Sequence, residues 1–101
     1  MRSILFFDLP SVTKAERTIY TKFVKNIKKL GFYMIQESVY AKMSINQLAF
    51  EGTLNSLKKI VPSNGSVLVL TITEKQFSQI KILSGELKSN VVSSDNRILV
   101  L

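Results

Sequence analysis

Between Thr13 and Gly31 the chain carries a helix with its own start and stop signals, and this segment constrains everything around it. Thr13 and Glu16 form a T-x-x-E capping box, which satisfies amides that a helix start leaves without partners. Gly31 stands where a left-handed C-terminal cap belongs. Ala15, Ile19, Phe23, Ile27 and Leu30 recur at helical spacing, while Lys14, Arg17, Lys22, Lys25, Lys28 and Lys29 gather on the opposite side. A helix over 14–30 with one apolar stripe needs an apolar surface to lie on. The flanking sequence supplies it as strands.

Residues 2–9 read as a buried strand: Ile4, Leu5, Phe6 and Phe7 form a short apolar run that stops at Asp8 and Pro10. A continuous run of this kind predicts a central strand covered on both faces. Residues 32–43, rich in aromatic and β-branched side chains, read as one long strand or as two with a break near 36–38. Ser44 and Gln47 offer a second capping box, opening a helix over about 45–61 with Leu48, Leu54, Leu57 and Ile60 facing inward. Gly52 weakens that helix by about 1 kcal/mol relative to alanine. Residues 62–65 (P-S-N-G) are a turn, and 66–73 (S-V-L-V-L-T-I-T) a strand. A short turn or helix near 74–78 and a short strand near 80–83 follow. Residues 86–96 are polar and read as mobile.

The chain ends on Arg97, Ile98, Leu99, Val100 and Leu101, an apolar, strand-like stretch. An unpaired apolar strand is an aggregation hazard. It is therefore expected to dock on its own sheet, on a second copy or on a partner. The order strand, helix, strand or strands, helix, strand predicts an α+β, ferredoxin-like fold: two helices on one face of an antiparallel sheet, with extra C-terminal strands. With 101 residues, the chain reads as a single domain over 1–101 in which 86–101 form a docking tail.

Composition narrows the function. Fourteen Lys and Arg against seven Asp and Glu give a net charge of +7, which a dimer would double. Such an excess favours polyanionic partners, nucleic acid among them. Cysteine and histidine are both absent. That removes disulfides, thiol chemistry, Cys/His zinc sites and every Ser-His-Asp arrangement. Any metal must be hard and oxygen-ligated, hence magnesium or manganese. No segment reads as a signal peptide, and no run approaches the roughly 20 apolar residues of a membrane span. The expected location is the cytoplasm, with no membrane partner.

Asp8 is the most informative single residue, a carboxylate at the end of an otherwise apolar strand that leads into a helix start. It is the candidate catalytic residue and metal ligand, since a divalent ion there can assist phosphodiester hydrolysis. Its alternative role is to cap the turn over 9–14. No local carboxylate cluster accompanies it, so a magnesium site needs two Asp8 side chains brought together across a two-fold axis. Lys14 and Arg17, next to that end of the sheet, are the candidate phosphate contacts. Lys25, Lys28 and Lys29 read rather as a solvated face. Phe32, Tyr33 and Tyr40 read as core aromatics more than as base-stacking groups.

Three pieces in order carry a family resemblance: F-F-D-L-P at 6–10, T-K-A-E-R at 13–17 and G-F-Y-M-I-Q-E-S-V-Y at 31–40. T-E-K-Q-F at 73–77 and I-L-S-G-E at 82–86 add to it. Together they resemble the second core CRISPR-associated protein (Cas two), in its type II form. The resemblance implies a ferredoxin-like homodimer that joins CRISPR integrase subunits and binds double-stranded DNA for insertion of new spacers. It also implies magnesium-dependent endonuclease activity on RNA or DNA in some members, Asp8 as metal ligand, and assembly through residues 97–101. Two uses of the dimer follow, a DNA-bridging scaffold in antiviral defence or a metal-dependent nuclease, with the scaffold favoured. The alternative is a ferredoxin-like nucleic-acid-binding or toxin-type ribonuclease module outside CRISPR.

Overall fold

The computed structural model describes residues 1–87 and the backbone of residues 99–100. The apolar run at the start becomes β1 (Arg2–Asp8), which lies between β3 (Val39–Met43) and β4 (Ser66–Ile72); β2 (Tyr33–Gln36) flanks β3 on the outside. The order is β2-β3-β1-β4, with antiparallel neighbours throughout. Helices α1 (Lys14–Lys29) and α2 (Gln47–Lys58) cover one face. This is the ferredoxin-like arrangement that the order of elements predicts.

Side-chain alternation along β1 divides the interior in two. Leu5, Phe7 and Leu9 turn toward the helices and pack with Phe23, Ile27, Phe32, Tyr40 and Leu57. The Phe7 ring is central there, meeting Phe23 edge-on at 5.1 Å and Tyr20 at 5.8 Å. Ile4 turns the other way and packs with Ile35, Ala41 and Phe77. Phe77 belongs to α3 (Glu74–Ser78), a one-turn helix that folds over the Arg2 end of that second face.

The second face is only partly covered, so the expectation of a strand buried on both sides is corrected. Phe6 is 37% exposed, and its neighbours on β4, Leu68 and Leu70, are 62% and 53% exposed. A run of four apolar residues shows that both faces are apolar; it does not show that this chain covers both.

α1 starts as its capping box requires. The Thr13 hydroxyl accepts from the Glu16 amide at 3.1 Å, and the Glu16 carboxylate accepts from the Thr13 amide at 2.9 Å. At the other end Gly31 adopts φ +103°, and Lys42 donates through Nζ to the Leu30 carbonyl. The inward stripe is Tyr20, Phe23, Val24, Ile27 and Leu30, whereas Ala15 and Ile19 are exposed. At about 100° per residue, a series of i, i+4 steps drifts about 40° each time. The series 15, 19, 23, 27 therefore leaves the sheet at its first two members.

α2 is shorter than the expected 45–61. Its N-cap is Asn46, whose side chain accepts from the Ala49 amide at 2.8 Å, rather than Ser44. Ser44 is tied to the chain start instead: its amide donates to the Met1 carbonyl at 2.9 Å, and its carbonyl accepts from the Met1 amino group at 3.1 Å. Leu57 and Thr53 are buried and Leu54 and Ile60 half-buried, but Leu48 is 78% exposed. At about 100° per residue Leu48 lies about 180° round the helix from the buried Leu57, so it cannot share the inward face.

Residues 32–43 form two strands, joined by a turn at residues 37–38 in which Ser38 takes φ 63°. The pairing skips a residue between Met34 and Gln36, which marks a bulge. β4 ends at Ile72 because Thr73 turns to cap α3, in a capping box with Gln76. Beyond it, β5 (Lys81–Ile82) pairs in parallel with β6 (Leu99–Val100), in a two-stranded sheet separate from the main one. Of the expected docking tail, Leu99 and Val100 thus pair within the chain. Arg97, Ile98 and Leu101, with residues 88–96 of the stretch 86–96 expected to be mobile, lie outside the described residues.

Candidate functional site

Asp8 is the last residue of β1, exposed, and in register with Ser66 on β4. Alternation puts it on the same face as Ile4 and Phe6, opposite α1 and α2. It lines a shallow cavity of about 210 Å³ with Phe6, Ser38, Val39, Ser66 and Leu68. The carboxylate therefore stands at the polar rim of the exposed apolar strip formed by Phe6, Leu68 and Leu70.

Three contacts hold this corner. The Phe7 amide donates to the Ser38 carbonyl at 3.1 Å, which ties the 37–38 turn to β1 just before Asp8. The Ser38 and Tyr20 hydroxyls lie 3.4 Å apart, linking the turn to α1. Gly65 passes so close behind Asp8 that a β-carbon on it would lie 2.5 Å from the Asp8 carbonyl oxygen and 2.6 Å from Leu9 Cδ2. The glycine of the expected 62–65 turn is thus needed for close approach.

The donor set fits half of a hard-metal site. The cavity offers one carboxylate with the hydroxyl-bearing residues Ser38 and Ser66. Among the described residues no group of three or more Asp, Glu, His or Cys could hold a metal ion. Magnesium prefers six oxygen ligands, of which one or two are usually carboxylates. One copy supplies one carboxylate, on an open face that a second copy can reach.

Lys14 and Arg17 open α1 on the other side of this end of the sheet. Arg17 folds back and donates through Nη1 to the Val12 carbonyl at 2.5 Å, which braces the loop between Asp8 and the helix. Both side chains are exposed, and the described contacts join neither of them to Asp8. Asp8 and the basic helix start thus share one junction but face different ways.

The other end of the open face holds a group that the sequence did not announce. Arg2, 8% exposed, donates through Nε to Glu74 Oε2 at 2.9 Å, and also bonds Glu74 Oε1 and the Tyr33 hydroxyl. Its guanidinium lies 4.2 Å from the Phe77 ring centroid. Glu74 holds the Arg2 pKa above its usual value, and Arg2 in turn holds the Glu74 carboxyl below its own. Burial raises the Tyr33 and Tyr40 hydroxyls. Arg2 thereby pins α3 to the sheet. No local pattern joins residues 2 and 74, so only the charge at position 2 of an apolar strand was available as a signal.

Fold and site together define a ferredoxin-like α+β domain with a strand-end carboxylate beside an open apolar sheet face. Residues 1–80 match the family described as CRISPR associated protein Cas2. The chain is 43% identical to a CRISPR-associated endoribonuclease Cas2 of Treponema denticola over 101 residues, all of both chains. It is 42% identical to one of Streptococcus mutans over 101 residues, all of this chain and 93% of the relative. The crystal structure of Streptococcus pyogenes Cas2 at pH 6.5 matches with a TM-score of 0.63 at 17% identity, covering 83% of this chain and all of that one, which bears on fold. The chain belongs to the Cas2 family. Its role therefore lies in CRISPR, not in a module outside it. Among the described residues no helix is long and apolar enough to cross a membrane.

Proposed function

We propose that the chain acts as a homodimer that binds double-stranded DNA and joins CRISPR integrase subunits during insertion of new spacers. The observation that carries this reading is the placing of Asp8 beside the exposed strip of Phe6, Leu68 and Leu70. Large apolar side chains left open on a sheet face fit burial by a second copy. An isologous contact through this strip joins the same corner of both copies. The two Asp8 carboxylates then supply what one chain lacks, and would hold a magnesium or manganese ion with waters and phosphate oxygens. When bound, such an ion stabilises charge that develops in phosphodiester chemistry. Lys14 and Arg17 contact phosphates without reading sequence. Residues 97–101 serve the integrase contact.

The relatives' names support a second use of the same site, as an endoribonuclease. One carboxylate at the site in each chain and the absence of histidine as a general base favour the scaffold. The deciding experiment is spacer integration with purified integrase and magnesium, comparing wild type with Asp8→Ala and checking each by size exclusion and DNA binding. The expected result is a dimeric, DNA-binding Asp8→Ala variant that still integrates. Loss of integration in an intact complex would make the metal site essential instead. A wild type that neither binds the integrase nor supports integration would overturn the reading.

A further inference from the structure

On the helical side of the molecule, opposite the face that bears Asp8, a crevice of about 510 Å³ opens between α1 and the segment that follows α2. Its size falls within the roughly 300–1,000 Å³ of small-ligand sites. Ile19, Phe23 and Ile60 give it an apolar wall, in which Phe23 is buried and Ile19 is 39% exposed. Its polar side chains come from both sides, Lys22 and Asn26 on α1, and Lys59, Ser63 and Asn64 after α2. Among the described residues no carboxylate lines it. The carbonyls at the end of α2 do not add a competing negative rim: those of Ser56 and Leu57 accept from the amides of Lys59, Ile60 and Val61 at 3.0 to 3.2 Å.

These polar groups are not spent on the fold. Among the described residues no hydrogen bond or ion pair engages the side chain of Lys22, Asn26, Lys59, Ser63 or Asn64. Cations that serve the fold behave otherwise: Arg17 donates to the Val12 carbonyl and Lys42 to that of Leu30. Two cations, two carboxamides and a hydroxyl thus meet around a hollow with an apolar wall. That set divides a ligand into two parts. The lysines call for an anion, and the wall with its carboxamides for a flat, partly apolar group with hydrogen-bonding edges. A nucleoside phosphate has both. A terminal phosphate monoester carries about −1.5 to −2 charge at neutral pH, whereas a phosphodiester within a nucleic-acid chain carries a single negative charge. One lysine on each side of the crevice, with no carboxylate between them, matches the monoester.

We propose that the crevice between α1 and residues 59–64 is a small-molecule site for a free nucleoside monophosphate, with Lys22 and Lys59 on the terminal phosphate and Ile19 and Ile60 against the base. Asn26 and Asn64 meet base or ribose edges. The inference goes beyond the DNA-binding reading and does not depend on it, because the site selects a terminal phosphate that the interior of a nucleic-acid chain lacks. The site also bears on Asp8. Ser63 and Asn64 lead into Gly65, which rests on the Asp8 backbone. A ligand that ties residues 63–64 to α1 therefore steadies the turn behind Asp8.

The test is an NMR titration of the isotope-labelled full chain with four probes: AMP, the methyl diester of AMP, adenosine and ribose phosphate. AMP at millimolar concentration is expected to give saturable amide shifts at residues 22, 26 and 59–64. Adenosine, which lacks the phosphate, and ribose phosphate, which lacks the base, are each expected to bind at least about fivefold more weakly. The methyl diester is expected to bind about threefold more weakly, in keeping with one lost charge at an open site. Lys22 and Lys59 are both exposed, so Lys22→Ala with Lys59→Ala should keep a folded spectrum and lose the saturable shifts. Lys28→Ala with Lys29→Ala, which removes the same charge at the far end of α1, should bind AMP as wild type does. No saturable shift with AMP overturns the proposal. A diester bound as tightly as AMP overturns it by assigning the crevice to a nucleic-acid chain. Adenosine or ribose phosphate bound as tightly as AMP overturns it too, as do equal losses in the two double variants.

Discussion

Gly65 lies directly against the backbone of Asp8, with the position of its missing β-carbon 2.5 Å from the Asp8 carbonyl oxygen. The obstacle is backbone rather than the end of a flexible side chain, so it cannot swing aside. Gly65→Ala is expected to destabilise the fold by about 1–3 kcal/mol, as overpacking does. It should also displace the β1 end that carries Asp8. Urea denaturation reads the first effect, and amide chemical shifts at residues 7–9 read the second. Unchanged shifts with unchanged stability would show that the start of β4 yields freely.

The open strip makes a prediction about association. Leu68 is 62% exposed, so Leu68→Glu costs the isolated monomer little. In a dimer built through this face, the same change places two carboxylates in an apolar contact, where unpaired charge is strongly disfavoured. Sedimentation velocity is expected to show a monomer for Leu68→Glu and a dimer for wild type, with matching far-ultraviolet circular dichroism. A variant that remains dimeric would move the interface elsewhere.

Much of this was legible in the sequence because local signals and tertiary structure agree. Thr13, Glu16 and Gly31 mark the ends of α1 by chemistry that acts within one turn, and the structure keeps all three. The order of elements was enough for the ferredoxin-like sheet. What the sequence hid depends on which neighbour covers a residue. Phe6 and Phe7 are identical in type and adjacent, yet Phe7 is 5% exposed and Phe6 37%. Only the positions of α1 and α2 distinguish them. Arg2 and Glu74 are 72 residues apart, and no periodicity connects them. Asp8 was visible as a carboxylate ending an apolar strand, but its place on the face opposite Lys14 and Arg17 needed the register of β1.

The start of α2 separates two residues that looked equivalent. The Asn46 side chain accepts from the Ala49 amide, so Asn46→Ala is expected to cost about 1 kcal/mol, the usual value of an N-cap. The Ser44 hydroxyl is buried, with no hydrogen-bond partner among the described residues. Ser44→Ala removes an unsatisfied polar atom and should be neutral or slightly stabilising. Paired urea titrations check the contrast. Equal losses at both positions would mean that the Ser44 hydroxyl contributes to the cap after all.

Arg2 and Glu74 give the fold a defined response to acid. The carboxyl of Glu74 is held below its ordinary value of 4.5 by Arg2, so the folded state favours its charged form. A group lowered on folding stabilises the fold above its unfolded pKa and loses that contribution as pH falls through the folded one. Arg2, shifted upward, stays charged throughout and adds no slope of its own. The Glu74 side chain is 44% exposed, so solvent screening keeps the pair near the upper end for surface ion pairs, about 1 kcal/mol. Glu74→Gln should therefore be less stable than wild type by about that amount at pH 7, and the gap should close as pH falls below 4.5. Glu16, lowered by its hydrogen bonds to the Thr13 and Val12 amides, titrates in the same direction in both proteins and cancels in the comparison. Urea midpoints for the two proteins from pH 7 to pH 3 measure the gap. A gap that persists at pH 3 would assign the effect to packing of α3 rather than to the charge on Glu74.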